Sequence, residues 1–476
     1  MPKRHAALLL LGHGSTLNAD SSAPTYQHAE EIRANDEFAE VHVAFWKEEP
    51  NFRQALRQTA LRRVYVVPNF ISSGYFTEQV IPREIGLTGP VTPIGGREVF
   101  YCQPVGLSSS MTGVLLKRAR EVVAASPENC DPRQACLFIC GHGTSLNDNS
   151  TKIIHEQAAI IRARGIYGDC QAVLMEQQPF VKDWRALTAC RDVIVVPFFI
   201  SDGLHSFEDI PVLLGLTRNM REQGFTNPHR ENDRRLWYAT AIGTEPSIAD
   251  VILDSVASFE AENSGRMSPR VPPPEDAIGE ALARFLGAGS SPWAMGEVLV
   301  RSVAGDIFEL RHVDDRSADS SSLQRLRSPG DLRQIIRLAP DGSFRPLRAA
   351  PNLRRGWIMR VLEREGLRAA LDYLYPAELA NWSLWKRGDL LATPWRDTAE
   401  RQTGRFRSVH EIDDSAIREL TAQVCDPGCL KRRLWSPAAL PVAPAAQVIP
   451  LLCPEACNYL VGKAREKLKG PDADPE

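Results

Sequence analysis

Leu8-Leu9-Leu10-Leu11-Gly12-His13-Gly14-Ser15 and Leu137-Phe138-Ile139-Cys140-Gly141-His142-Gly143-Thr144 carry the same apolar run into the same Gly-His-Gly, 129 residues apart. Working outward, the same separation of 129 links Asn18 to Asn147, Pro50 to Pro179, Pro68 to Pro197, Gly74 to Gly203 and Pro82 to Pro211. Further on, Tyr101 and Tyr238, like Gly106 and Gly243, are 137 apart, so the second copy carries eight extra residues. A constant period over such a length marks a tandem duplication. The copies are expected at 1–125 and 126–262.

Each copy alternates short apolar strands with helices. Strand one covers 7–11 or 136–140, and a helix follows over 26–34 or 152–164. Strand two covers 41–45 or 171–175, with a proline-started helix beginning at Pro50 or Pro179. Strand three is Val64-Tyr65-Val66-Val67-Pro68 or Val193-Ile194-Val195-Val196-Pro197, a β-branched run of the kind buried on both faces of a sheet. This alternation predicts an α/β fold with a parallel, doubly wound sheet in each copy. Such sheets place ligands outside the carboxyl ends of their strands.

The stretch from Ser264 to Pro274 reads as a linker. Residues 275–350 then form a small α+β domain, with a helix over 277–286 and strands over 306–313 and 332–338. The last of these meets a Pro340-Asp341-Gly342 turn. From 354 to 470 the chain is expected to be a mainly helical domain, rich in Arg and Trp, with a helix over 357–373.

Composition narrows the class. A chain of 476 residues exceeds one hydrophobic core, and 43% hydrophobic with 24% charged residues is globular usage. Fifty-six Lys+Arg against 59 Asp+Glu give a net charge of −3, so no bulk field recruits nucleic acid or an anionic membrane. No apolar run approaches the ~20 residues of a bilayer span. Lys3-Arg4-His5 before Ala6 to Leu11 looks like a signal start, yet its six apolar residues fall short of the about 7–15 of a secretory core. The internal copy of this run argues for a strand, and the expected location is cytoplasmic.

The chemistry gathers at the strand ends. His13 and His142 directly follow strand one. In the second copy, Gly203-Leu204-His205-Ser206-Phe207-Glu208-Asp209-Ile210-Pro211 places His205 just past strand three. Strands one and three are expected neighbours, which brings His142 and His205 to one cleft, with Glu176 at the end of strand two. Two imidazoles and a carboxylate suit a divalent first-row metal, Co²⁺, Fe²⁺ or Ni²⁺. The first copy has Phe76 where the second has His205 and Lys47 where it has Glu176, although Glu48 and Glu49 lie alongside. His13 is therefore at most an auxiliary group. Ser15, Thr16, Thr144 and Ser145, at the helix starts, are candidate donors to an anionic ligand.

The ten cysteines are too sparse for a disulfide scaffold. Cys136 and Cys140 lie on one strand about 13 Å apart, too far to share an ion, and are expected to be core thiols. None occurs between Cys190 and Cys425, and then Cys425-x3-Cys429 and Cys453-x3-Cys457 close the chain. Four thiolates from two loops suit a [4Fe–4S] cluster or a tetrahedral Zn²⁺; the three-residue gaps and adjacent prolines favour iron–sulfur. The basic residues nearby, Arg405, Arg407, Lys431, Arg432 and Arg433, are expected mostly at the solvated surface.

Apolar-Gly-His-Gly-[Ser/Thr], the Val-Val-Pro strand and Gly-x-His-x3-Asp-Ile-Pro resemble the sirohydrochlorin chelatases of the small cobalt-chelatase type, ATP-independent class II chelatases. The resemblance spans 1–262 in two copies and fits the second better. It implies a lyase that inserts a divalent metal, Co²⁺ foremost, into sirohydrochlorin or a related tetrapyrrole for cobalamin synthesis. His142, His205 and Glu176 match the family's metal-binding and catalytic residues. The alternatives are Fe²⁺ insertion for siroheme, or a non-catalytic tetrapyrrole-binding or redox-sensing iron–sulfur protein. The terminal cysteines resemble those of tandem-repeat relatives with a C-terminal [4Fe–4S] domain behind a small stabilising domain. The two copies can complete a cleft within one chain, so either a monomer or a homodimer is compatible.

Overall fold

β-Branched runs with nothing polar between them need cover on both faces, and a computed structural model shows how they obtain it. It describes residues 3–15, 21–143, 148–203, 205–220, 222–268, 276–337, 353–435 and 445–469. Thr16, Thr144, Ser145, the Pro272–Pro274 run and the Pro340-Asp341-Gly342 turn lie outside them. The chain divides into two units, one of residues 1–45 and 61–273, the other of 46–60 and 274–476.

In the first unit, the first repeat comprises β1 (Lys3–Gly12), α1 (Ala23–Ala34), β2 (Phe38–Phe45), β3 (Arg63–Pro68), α2 (Ile81–Ile85), β4 (Val91–Ile94), β5 (Arg97–Tyr101) and α3 (Met111–Ala124). The second repeats the order as β6 (Ala135–Gly141), α4 (Asp148–Ala163), β7 (Asp169–Leu174), α5 (Trp184–Leu187), β8 (Asp192–Pro197), α6 (Ile210–Leu214), β9 (His229–Glu231), β10 (Arg234–Tyr238) and α7 (Ile248–Asn263). The sheets run β2-β1-β3-β5-β4 and β7-β6-β8-β10-β9. Four strands of each are parallel, and the last is an antiparallel edge. Strands one and three are neighbours in both: Cys140 pairs with Pro197, and Leu11 with Pro68. The residues that follow them emerge side by side.

The proline-started helices expected after strand two are instead short 3-10 turns, Phe52–Gln58 and Val181–Asp183, the latter continuing into four-residue α5. Asn51 caps the first turn through a reciprocal bond with Gln54, a start signal that falls one residue after the proline.

Buried and half-buried polar contacts join the repeats within this unit. His28 Nε2 meets the Gly243 carbonyl at 2.8 Å, Thr112 donates to Gln157 at 2.6 Å, and Lys117 and Arg118 both pair with Glu245. The matched glycines Gly106 and Gly243 allow the closest backbone approach. A Cβ there would stand 1.8 Å from Ile71 O or 1.9 Å from Ile200 O. Gly243→Ala is expected to destabilise this unit by about 3 kcal/mol or more, read as a lowered calorimetric midpoint. Gly224→Ala, with nothing within 4 Å of its Cβ, is expected to change stability by less than about 0.5 kcal/mol.

The second unit contains α8 (Ala277–Gly287), β11 (Trp293–Met295), β12 (Val298–Ala304), β13 (Ile307–His312), β14 (Gln324–Leu326), α9 (Arg333–Arg337), β15 (Trp357–Leu362), α10 (Glu363–Leu374), α11 (Glu378–Arg387), α12 (Trp395–Glu400), α13 (Asp414–Gly428), β16 (Arg432–Arg433), β17 (Val448–Ile449), β18 (Leu452–Cys453) and α14 (Asn458–Lys469). Its main sheet runs β14-β15-β13-β12-β11-β17. Two sequence expectations fail here. Trp357–Leu362 is a strand, because Ile358 to Leu362 find ladder partners on β13, and Glu363, at φ 60°, then opens α10. Residues 332–337 are helical because Ser328 and Asp331 form a capping box ahead of them. Among the described residues, no helix is long and apolar enough to cross a membrane.

Candidate metal centre and cysteine site

The two glycines around His142 do different work. A Cβ on Gly141 would meet Ile154 Cδ1 at 1.9 Å, so this glycine lets α4 pack against the strand end. Gly143 turns the chain at φ 70°, and a Cβ there would stand 3.0 Å from Leu174 Cβ. The turn leaves the His142 side chain about one-third exposed. Its Nδ1 lies 3.1 Å from Gly143 O. A carbonyl only accepts, so Nδ1 carries the proton and Nε2 presents its lone pair. Glu176 Oε1 stands 3.6 Å from that Nε2, and the Glu176 amide donates to His142 O at 3.0 Å. The ends of β6 and β7 are thereby tied together.

His205 opens a π-helical turn, His205–Asp209, that runs into α6. Its Nδ1 meets Asp209 Oδ2 at 2.8 Å, which orients the ring and again leaves Nε2 as the nitrogen able to ligate. The rings of His142 and His205 lie 4.7 Å apart, edge to face at 74°. Among the described residues, no three His, Cys, Asp or Glu side chains stand ready to hold an ion as they are. The site is an open pair of nitrogens with an exposed carboxylate beside one of them. Asp209 belongs to the motif that singled out His205, but its supporting role emerges only from the turn. Its signal in sequence is the four-residue spacing, which puts both side chains on one helical face.

The first repeat keeps the frame and lacks the second imidazole. His13 Nδ1 meets Gly14 O at 2.8 Å, as in the second copy. Its ring, however, faces the edge of Phe76 at 5.0 Å and 89°. The π-helical turn persists as Phe76–Val80, so both His205 and its orienting Asp209 are replaced, by Phe76 and buried Val80. Lys47, at the position of Glu176, lies 5.0 Å from the Phe406 ring. Cys136 and Cys140 are fully buried in the β6 core. Burial pushes the Cys136 thiol up to about 12, and that of Cys140 higher still.

Cys425 and Cys429 close α13 four residues apart, on one helical face, with the Cys429 amide donating to Cys425 O at 3.0 Å. Cys453 sits on β18, paired with Arg433 of β16, and Cys457 precedes α14. Burial and the charge of neighbouring thiolates both raise the thiols, Cys425 to about 12. Cys457 is raised to about 11, chiefly by burial, and Cys429 and Cys453 are raised as well. Four thiolates are stable together here only with cationic metal among them. An all-sulfur set in mutual electrostatic reach fits an iron–sulfur cluster held by Cys425, Cys429, Cys453 and Cys457. Such a cluster supplies one-electron chemistry when bound.

The expected surface cations include one that is not at the surface. Lys431 is 5% exposed and pairs with fully buried Glu378 at 2.5 Å. Glu378 also accepts the Leu452 amide at 2.6 Å.

Comparison with known proteins follows this division. The CbiX family model matches residues 7–122 and 136–259. A DR2241 stabilising domain matches 280–386, and a 4Fe-4S iron-sulfur cluster binding domain matches 387–466. A probable sirohydrochlorin cobaltochelatase of Halobacterium salinarum is 44% identical over 272 residues, 54% of this chain and 92% of that protein. The sirohydrochlorin cobaltochelatase of Methanopyrus kandleri is 25% identical over 134 residues, 25% of this chain and 93% of that one. The crystal structure of DR2241 from Deinococcus radiodurans superposes with a TM-score of 0.84 at 30% identity, covering 97% of this chain and 99% of that one. It is described as a multi-domain protein with structural similarity to chelatases and two additional domains.

Proposed function

The chain belongs to the CbiX family, is a metal chelatase of the lyase class and carries a 4Fe-4S binding domain, and from that premise we propose that it inserts Co²⁺ into sirohydrochlorin, without ATP, for cobalamin synthesis. The reaction belongs to the second repeat. The observation that carries this reading is the His142–His205 pair, each ring tied down through Nδ1 and each presenting Nε2. Neutral imidazoles bind borderline divalent metals well. An open two-nitrogen site suits a substrate ion, which has to leave.

Insertion forms the metal–nitrogen bonds of the macrocycle and releases two pyrrole protons. Glu176 is the base we assign to both, taking one and then the other. It lies beside the His142 nitrogen and is more than half exposed, so it can pass the proton to water. The cobaltochelatase relatives support Co²⁺ over Fe²⁺.

The test is anaerobic insertion into sirohydrochlorin followed by absorbance, with Co²⁺, Fe²⁺ and Ni²⁺ in parallel. Faster insertion of Co²⁺ than of the others, above the spontaneous rate, is the expected result; preference for Fe²⁺ would overturn the cobalt assignment. Removing the orienting carboxylate with Asp209→Asn is expected to weaken Co²⁺ binding about 10- to 100-fold, measured by titration calorimetry. An unchanged affinity would mean that His205 does not need Asp209 to ligate.

A further inference from the structure

Residues 46–60 match 175–189 of the second repeat, the stretch that there begins with Met175 and Glu176. In the fold they leave the first unit after β2 and return to it at β3, and in between they are part of the second. The contacts they make there converge on one loop. The Trp46 carbonyl accepts from Asn458 Nδ2 at 2.6 Å. Asn51 Nδ2 donates to Glu455 Oε1 at 3.2 Å, and Arg53 Nε stands 3.3 Å from Glu455 Oε2. Glu455 lies between Cys453 and Cys457, and Asn458 directly follows Cys457. The ligand loop is thus held on both sides of Cys457.

The setting makes these bonds costly to lose. Asn51 is 4% exposed and Glu455 3% exposed. A buried charged group that loses its partner bears the full cost of its desolvation. Glu49, also buried, receives Asn51 Nδ2 on Oε1 at 3.5 Å and lies within electrostatic reach of Cys429 and Cys457. The 3-10 turn Phe52–Gln58 packs on α11, which carries Glu378 at its start. Lys47, standing where the second repeat has its carboxylate, is engaged with Phe406 of this same unit.

We propose that residues 46–60 are a clamp for the Cys453–Cys457 ligand loop, so that cluster assembly and ordering of the first repeat's strand-two loop are one coupled event. Coupling is reciprocal: what the clamp adds to retention of the cluster, the cluster adds to order in the clamp. The stretch that holds Glu176 in the second repeat therefore serves the cluster in the first. Loss of the cluster would loosen the connection between two strands consecutive in sequence, β2 and β3, which flank β1 in a chelatase sheet.

Hydrogen exchange by mass spectrometry tests this on the full, anaerobically prepared, cluster-loaded chain, before and after cluster removal with ferricyanide and EDTA. Amides of 46–60 are expected to exchange about tenfold faster or more once the cluster is gone, while β6 and β8 keep their protection. In a second measurement, the double variant Asn51→Ala/Arg53→Ala is expected to lose cluster absorbance to a chelator about tenfold faster than wild type. Unchanged exchange over 46–60, or bleaching of the variant within about twofold of wild type, would overturn the clamp. The exchange experiment needs no variant and decides the matter if the double variant does not fold.

Discussion

His142→Ala and His205→Ala are each expected to slow metal insertion by about two to four orders of magnitude, whereas His13→Ala leaves the rate within about threefold of wild type. The asymmetry follows from the two strand-end clefts. In the second repeat the imidazoles stand 4.7 Å apart and each is anchored through Nδ1, so loss of either leaves the ion one nitrogen short. His13 has the same anchor but faces Phe76, so it holds no ion with a second imidazole. Rates from stopped-flow absorbance at saturating sirohydrochlorin check this. Equal losses in His13→Ala and His142→Ala would place chemistry in both repeats.

Lys431→Met is the second large effect. It removes the cation from beside Glu378, a carboxylate with no solvent exposure, and leaves a buried charge held, among the described residues, by the Leu452 amide and Asn381. Breaking such a pair costs about 3–5 kcal/mol. The expected result is loss of the second unit's unfolding transition at its normal temperature, with less iron retained per chain. Lys431→Met/Glu378→Gln removes both charges and should recover part of the stability. A single variant as stable as wild type would show that Glu378 is neutral in the folded protein.

Where sequence and structure agree, the determinants are local. The strand-three runs have no alternative to burial, and the 129-residue period carries the sheet order of one repeat onto the other. The juxtaposition of His142 and His205 was legible because parallel neighbours deliver their carboxyl ends to one edge. Where they part, the determinant is distant. Trp357–Leu362 is a strand because β13 lies ready about 50 residues away. Lys431 looks like a surface cation until Glu378 is folded against it. Residues 46–60 read as an ordinary repeat segment, because nothing within them announces that Glu455 and Asn458 are their partners.

X-ray absorption at the cobalt edge tests the central assignment most directly, on cluster-loaded protein with one equivalent of Co²⁺. The expected spectrum contains a nitrogen and oxygen shell with the scattering of two imidazoles, falling to one in His205→Ala. A sulfur shell, or an imidazole count unaltered by His205→Ala, would contradict the placement of the substrate metal between His142 and His205.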